Sequence, residues 1–521
     1  MKKTYEYKVG DKVVSHQYNY IPFRYILALF MTVLEVLAVI AITVALCYFV
    51  PYFYIAAWAT EIFCVIKIAS SDDNPEYKVP WLLFVLILPI AGFMLYFMFY
   101  SRKLPKKYMR RLETLRNTAS YSHDDSELLS ALESEDAAAA GQARLLTKIS
   151  DSRLFDGGRQ EYFPLGEQKH KRLLSDLSTA QSFIFLEYFI IEEGNFWDSI
   201  LDILKEKAKA GVEVRVVYDD IGCMSTLPGD YYKTLSCYGI MAAPFSRLRG
   251  TADGEFNNRS HRKIAVIDGK VGYTGGVNIA DEYINKTKRF GHWKDVALRI
   301  EGRGVWELTR LFLLDFGVNV KALPEVNRNY FPTTDTAGKG YIVPFGDGPR
   351  PIYERRVGKS IIKAILESAE RYAYITTPYL IIDNDLCESL EVAALRGVDV
   401  RIIVPHIPDK KLVFEVTRSF YPRLMKAGVR IYEYEPGFIH AKTYLADGKY
   451  AMIGTINLDY RSLVHHFECG VWAYNTEAIP QIKADFDATL AKSIEISSDS
   501  FKVGLIKRAV RSVARIFAPL L

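Results

Sequence analysis

The chain has 521 residues and a formal charge of +5, which is length enough for two or three domains with their own cores and too little charge to assign an acidic partner. Its six cysteines form no C-x-x-C and no Cys/His cluster of zinc spacing, so neither a disulfide framework nor a structural zinc site is supported. Reduced, mostly buried thiols are expected instead.

The first hundred residues are far more apolar than a soluble domain requires. Arg24 to Ser70 is almost continuously apolar apart from a break near Pro51, and at about 20 residues per crossing it holds two spans. Pro80 to Tyr100 supplies a third run, interrupted by Pro89 and Gly92. A cleaved signal peptide would have a shorter apolar core nearer the start and a small-residue cleavage site. Residues 1–100 therefore read as a membrane domain of two or three spans, and the protein as a multi-pass membrane protein. Lys2, Lys3, Lys8, Lys12 and Arg24 precede the first span, while Arg102, Lys103, Lys106, Lys107, Arg110 and Arg111 follow the last. Both clusters claim the cytoplasm, and three full crossings cannot satisfy both. A kinked or re-entrant third run gives an even number, with the remaining domains cytoplasmic. Glu35 and Glu61 fall inside the first two spans, either neutral or bonded between helices, or facing a cavity.

Residues 101–154 read as a linker: a basic start, an acidic middle, an alanine run at 137–140 and no sustained core pattern. From about residue 155 strand-like and helix-like segments alternate, the mark of an α/β architecture. The order recurs. S-F-I-F-L-E-Y-F-I-I (182–191), a helical run and G-V-E-V-R-V-V-Y-D-D (211–220) are matched by Y-A-Y-I-T-T-P-Y-L-I-I (372–382), a helical run and G-V-D-V-R-I-I-V (397–404). H-R-K-I-A-V-I-D-G-K from His261 is matched by H-A-K-T-Y-L-A-D-G-K from His440, 179 residues later (440 − 261). That period is far longer than a solenoid unit, so two pseudo-repeated domains are expected, at 155–335 and 336–496, followed by a C-terminal segment 497–521. In that segment Leu505, Ile506, Ala509, Val510, Val513 and Phe517 share one helical face, and Lys507, Arg508, Arg511 and Arg515 crowd the other. A basic amphipathic helix of this kind lies on an anionic membrane surface, or it is simply packed on the domain.

Both copies carry H-x-K-x-x-x-x-D followed by a glycine and an asparagine: Gly275, Gly276 and Asn278 in one, Gly454, Thr455 and Asn457 in the other. In a strand, side chains two apart share a face, so His261 and Lys263 point together, as do His440 and Lys442. If the chain folds back after Asp268-Gly269 or Asp447-Gly448, Asn278 or Asn457 returns near the head of its strand. A neutral imidazole is a nucleophile, ammonium and amide groups bond phosphate oxygens, and a second imidazolium protonates an alkoxide. Two of each, meeting at a pseudo-twofold axis, form a metal-free phosphodiester-transfer site. The lysines have a second reading as solvated strand-end charges. Asp268 and Asp447 complete the motif as catalytic candidates, yet Asp-Gly between apolar strands is also a turn signal. Asp295, 34 residues after His261, and Glu468, 28 after His440, open apolar strands and are candidates to orient the rings, or else are surface charges. Gly358-Lys359-Ser360 resembles the end of a phosphate-binding loop, but Tyr353 stands where its first glycine belongs, so nucleotide use is not indicated. Asp219-Asp220 lacks neighbouring metal-ligand spacing, and His406, His465 and His466 read as local structure or pocket lining without a repeat counterpart.

The twin motif resembles the phospholipase D superfamily over almost the whole chain after residue 155. Longer strings resemble bacterial cardiolipin synthases: Y-D-D-I-G at 218–222, H-W-K-D-V-A-L-R-I-E-G at 292–302, I-P-D-K-K-L-V at 407–413, P-G-F-I-H-A-K-T at 436–443 and G-T-I-N-L-D-Y-R-S-L at 454–463. The hydrophobic N-terminal region is similar to that family's membrane domain. The resemblance implies two α/β/α domains with mixed central sheets around a shared site. It also implies conversion of two phosphatidylglycerol molecules to cardiolipin and glycerol through a phosphatidyl-histidine, in a bacterial cell membrane, without cofactor, metal or nucleic acid. By position, His261 attacks and His440 serves as acid and then base, with Glu468 orienting His261 and Asp295 orienting His440. Gly276 departs from the family pattern, where a hydroxyl residue is common. Because the second copy keeps Thr455 as a phosphate ligand, the first half is expected to give the phosphate one hydrogen bond fewer. The same chemistry with water or another alcohol as acceptor, a nuclease, and a non-catalytic lipid-binding scaffold are the competing readings.

Overall fold

The computed structural model describes residues 2–9, 12–19, 23–100, 104, 106–119, 123–247, 257–332, 336–497 and 504–520. Two mixed sheets dominate it. The first has seven strands in the order Arg159–Phe163, Ala297–Glu301, Val271–Gly275, Lys263–Ile267, Phe183–Tyr188, Glu213–Asp219, Met241–Phe245. The second repeats that order with Tyr341–Asp347, Glu468–Tyr474, Tyr450–Gly454, Thr443–Ala446, Tyr372–Thr376, Asp399–Pro405 and Arg430–Tyr434. Two short edge strands extend it to nine: Ser493–Glu495, and Phe155–Asp156, which pairs with Tyr341 and Ile342.

The apolar, β-branched composition of the central strands follows from this layering. Phe183–Tyr188 and Lys263–Ile267 are buried along their whole length, because helices cover both faces of the sheet. Phe183–Tyr188 runs parallel to Glu213–Asp219 across the helix Asn195–Lys209, a connection that a parallel pair requires. Lys263–Ile267 and Val271–Gly275 form an antiparallel hairpin. Its turn has both central residues left-handed, Asp268 at φ 53° and Gly269 at φ 63°, and Asp447 and Gly448 repeat it at 55° and 69°.

The segment expected to be a linker is folded. Lys106–Thr118, Ser126–Glu135 and Ala137–Ser150 are helices whose Leu112, Leu115, Leu132 and Leu146 enter the main core. Arg111 fastens the first of them by donating to the carbonyls of Gly317 and Val320, each at 2.7 Å. The alanine run is the physical reason: Ala139, Ala140 and Ala143 are fully buried, so small side chains mark a close approach and not an absent core.

In the N-terminal region a hairpin, Lys2–Val9 with Lys12–Asn19, precedes helices Phe23–Phe49, Pro51–Ala69, Pro75–Ile87 and Pro89–Leu95. Proline opens three of these helices, at the position where its missing N–H costs nothing. Among the described residues one helix, through Leu29–Leu46, is long and apolar enough to cross a membrane. Glu35 sits exposed on it. The third apolar run breaks at Leu88, and the chain folds back so closely that a Cβ on Gly92 would collide with the Phe84 carbonyl. Its leading end rests on the second half: Asn74 donates to Asp383 at 2.7 Å, Glu76 accepts from the Asn384 N–H at 2.8 Å, and the Tyr77 hydroxyl lies 3.2 Å from His465 Nε2.

The C-terminal helix, Leu505–Ile516, turns Arg511 and Arg515 inward. Arg511 donates to Glu415 at 2.9 Å and the Arg515 guanidinium lies 4.4 Å from the Phe420 ring centroid, while Phe517 packs on Phe84. Val510, Val513 and Ile516 remain exposed.

Candidate active site

The two halves meet where their motif strands begin. Ser260 bridges Phe467, and the His261 N–H donates to the Phe467 carbonyl at 2.8 Å. In the opposite sense His292–Lys294 pairs with Gly437–Ile439, and the His440 N–H donates to the Lys294 carbonyl at 2.7 Å. Each motif histidine is thereby stitched to the strand that delivers the other half's carboxylate.

The side chains follow the backbone. His261 Nδ1 lies 3.0 Å from both Glu468 oxygens, and His440 Nδ1 lies 2.7 Å from Asp295 Oδ2. Both carboxylates are wholly buried, while the histidines keep 6% and 7% of their surface, enough to face a cleft. With Nδ1 held as donor, Nε2 is the ring nitrogen left for chemistry. Lys263 and Lys442 each donate an ammonium hydrogen to the carbonyl of the histidine two residues before it. Both are buried, so they are not solvated strand-end charges. Phe189 meets His261 edge-on at 5.2 Å between centroids, and Tyr283 meets His440 in the same way at 5.4 Å.

Burial of four cationic and two anionic groups in one place shifts all of them toward neutrality. Desolvation pushes Glu468 up to about 7 and Asp295 up to about 6, against the pull of the lysines. It lowers Lys263 to about 7 and Lys442 to about 8, and holds both histidines well below their usual range, with neighbouring positive charge adding to the effect. An anionic phosphodiester is the one component that would restore charge to the lysines.

Several candidates sit elsewhere than expected. Asp268 and Asp447 lie at the far ends of their strands, so their catalytic reading is corrected. Asp268 accepts from the N–H groups of Gln181, Ser182 and Phe183 at 2.7–2.9 Å, and Asp447 accepts from Glu370, Arg371 and Tyr372 in the same way. The left-handed turn aims each carboxylate back at the start of the neighbouring strand, a structural task. The phosphate-ligand reading of Thr455 is corrected too, because its hydroxyl donates to Glu468 and accepts the Cys469 N–H at 3.0 Å. In the first half a Cβ at Gly276 would collide with Asp295 Oδ1, so the carboxylate fills the space the hydroxyl residue has opposite. The difference between the halves lies in carboxylate support. Asn278 accepts from the Ile190 N–H at 3.1 Å and donates to the Tyr283 hydroxyl at 2.7 Å, while Asn457 donates to Asp459 at 3.0 Å and its buried oxygen has no partner among the described residues.

Residues unmarked in the motif complete the site. Asp219 accepts from Arg259 at 3.0 Å and from the Ser260 N–H at 3.0 Å, bracing the chain before His261. Arg262 donates to the Glu468 carbonyl at 3.0 Å and to Asp315 at 2.7 Å, tying the halves together. His465 does have a repeat counterpart: H-W-K-D at 292–295 matches H-H-F-E at 465–468. His292 Nδ1 lies 3.1 Å from the Tyr434 hydroxyl, as His465 lies on Tyr77. One residue on, Trp293 packs on His440 and His466 packs on His261, at 5.6 and 5.5 Å between centroids. Counting back from each carboxylate would have found them. Among the described residues His261, His466 and Glu468 are also the one trio of donors grouped as a cation site would require, but both Glu468 oxygens already bond His261, and one also accepts from Thr455. The helix start at Gly358 is taken by Asp347, which accepts from its N–H at 2.8 Å.

Twin histidines, each oriented by the other half's carboxylate between two repeated mixed sheets, define a phosphodiester-transfer protein of the phospholipase D superfamily. Residues 173–290 and 362–490 match the family described as cardiolipin synthase, PLD-like domain, and residues 62–99 match phospholipase D-nuclease N-terminal. A cardiolipin synthase of Alkalihalophilus pseudofirmus is 33% identical over 88% of this chain and 92% of its own length, and cardiolipin synthase 2 of Bacillus cereus is 35% identical over 88% and 89%. An uncharacterized protein of Streptococcus mutans is 40% identical over 88% of this chain and 99% of its own. The chain belongs to the cardiolipin synthase family. A crystal structure of phosphatidylserine synthase from Haemophilus influenzae shares the fold, with a TM-score of 0.56 at 15% identity over 73% of this chain and 98% of that one.

Two outcomes follow from this geometry. Asp268→Ala, which removes three hydrogen bonds and strains the left-handed turn, lowers the melting temperature by several degrees, while turnover per folded molecule stays within about tenfold of wild type, against a loss of about 10³-fold for His261→Ala. Equal losses in the two variants would return Asp268 to the chemistry. In the pH profile of kcat/KM, activity falls as pH drops through about 7 to 6, where Glu468 and Asp295 take up protons and release Nδ1, and falls again as pH rises through about 7 to 8, where Lys263 and then Lys442 lose theirs. A flat profile from about pH 5 to 9 would contradict these assignments.

Proposed function

We propose that this cardiolipin synthase takes phosphatidylglycerol as both donor and acceptor and passes the phosphatidyl group through His261. His261 Nε2 attacks phosphorus while Glu468 holds Nδ1–H, a P–N bond forms and the P–O bond to glycerol breaks. The leaving glycerol oxygen takes its proton from the His440 imidazolium, whose charge the bound phosphate and Asp295 sustain. Neutral His440 then removes the proton from a hydroxyl of the second phosphatidylglycerol. That oxygen attacks phosphorus, the P–N bond breaks, and cardiolipin leaves. One phosphodiester is exchanged for another, so the reaction needs no nucleotide. The likeness to cardiolipin synthases over most of the chain carries the choice of an alcohol over water as acceptor. Lys263 and Lys442 neutralise the phosphate, and Asn278 braces Tyr283 against His440.

The membrane reading extends to the rest of the chain. We read residues 1–100 as a multi-pass anchor with cytoplasmic catalytic domains, 155–335 and 336–496 as the two catalytic repeats and 497–521 as a surface helix. The fold-back at Leu88 supports a re-entrant third run. Exposed Val510, Val513 and Ile516, beside a helix whose Phe84 touches Phe517, support contact with the bilayer through the apolar face of the C-terminal helix.

Purified protein given labelled phosphatidylglycerol without nucleotide is expected to form cardiolipin and free glycerol. His261→Ala and His440→Ala should each lose about 10³-fold or more of that turnover without unfolding. Phosphatidic acid as the sole product would make the enzyme a hydrolase, and normal activity in either variant would sink the mechanism.

A further inference from the structure

The two half-sites are alike in histidine, lysine and strand pairing, and they differ two residues before each carboxylate. Trp293 stands there beside His440, whereas His466 stands beside His261. His466 is more than nine-tenths buried, and its Nδ1 has no hydrogen-bond partner among the described residues. That nitrogen points at Glu468, 3.8 Å from Oε1, one step beyond hydrogen-bond length. A nitrogen of His261, a nitrogen of His466 and an oxygen of Glu468 all lie within 4.8 Å of one another. An unpartnered buried polar atom is costly, and it persists where another state of the site satisfies it.

We propose that His466 is a positioning residue of the first transfer step, whose Nδ1–H closes on Glu468 Oε1 as His261 takes up the phosphatidyl group. This rests on His261 being the nucleophile. In the free enzyme Glu468 is held by His261 and by the Thr455 hydroxyl. Once the P–N bond forms, the His261 ring carries a full positive charge, and Glu468 must follow that ring while staying ionised. A second, neutral imidazole donor to Oε1, an oxygen that His261 also holds, keeps the carboxylate charged and in place, and no proton is transferred. Trp293 cannot play this part for Asp295, whose Oδ1 takes the Val296 N–H at 2.8 Å instead. The charged and titratable groups around Glu468 are His261, Lys263, Lys442, Asp459 and Tyr444, and those around His466 are His261, Lys263, Arg461 and His465. Burial keeps His466 well below its usual range, in the neutral form that the role requires.

The test compares His466→Phe, which keeps the ring and removes the donor, with His466→Asn, which restores an N–H, in full-length protein turning over phosphatidylglycerol in mixed micelles. Loss of the donor raises the Glu468 pKa in the reacting state, since a hydrogen bond to the charged form favours it. His466→Phe is expected to lose about tenfold in kcat with KM unchanged and to move the acid limb of kcat to higher pH, and His466→Asn to recover most of both. An unmoved acid limb in His466→Phe, or an Asn variant as impaired as the Phe variant, overturns the role. If His466→Phe does not fold, His466→Leu takes its place in the same comparison. His261→Ala is run alongside. Turnover there contradicts the histidine transfer itself, whereas a dead His261→Ala with unaffected His466 variants removes only the positioning role.

Discussion

Two hydrogen bonds that cross between the halves carry the rest of the structure: Glu468 on His261 and Asp295 on His440. Neither repeat contains a complete histidine–carboxylate couple of its own. The backbone is arranged to the same end. Each motif histidine donates its N–H to the carbonyl immediately before the partner carboxylate, which fixes the spacing of ring and carboxylate before any side chain is chosen. Arg262, reaching from the motif of one half to the Glu468 carbonyl and Asp315, locks the alignment from behind.

Electrostatics explains why such a site waits for its substrate. Two lysines, two histidines and two carboxylates share a volume in which every charge is penalised by desolvation, so histidines and lysines are pushed down and carboxylates up. A phosphate bound there would bring the negative charge that returns the lysines to their charged form. Pseudo-symmetry supplies two equivalent histidines, and the departures from it set them apart. Thr455 faces Glu468 where Gly276 leaves room for Asp295, and His466 stands where Trp293 stands opposite.

Much of this was legible in the residues. Strand alternation places His261 with Lys263 and His440 with Lys442, the twin spacing identifies two halves of one site, and Asp-Gly announces the turns at 268 and 447. What spacing cannot give is which carboxylate serves which histidine, because crossing between domains leaves no local trace. That pairing rested on resemblance to a family. The helices of residues 106–150 were hidden because they are short and bury alanine as much as leucine. Thr455 and His466 were misjudged because the repeat was aligned on the histidines, whereas their roles are set by the carboxylate.

Transfer through a histidine requires two in-line displacements at phosphorus, each inverting its configuration. Phosphatidylglycerol made chiral at phosphorus with sulfur and an oxygen isotope, converted by the full-length enzyme and analysed in the cardiolipin product, reads that count directly. Retention of configuration is the result the twin-histidine site predicts. Inversion, the mark of a single direct displacement by the acceptor hydroxyl, would contradict it.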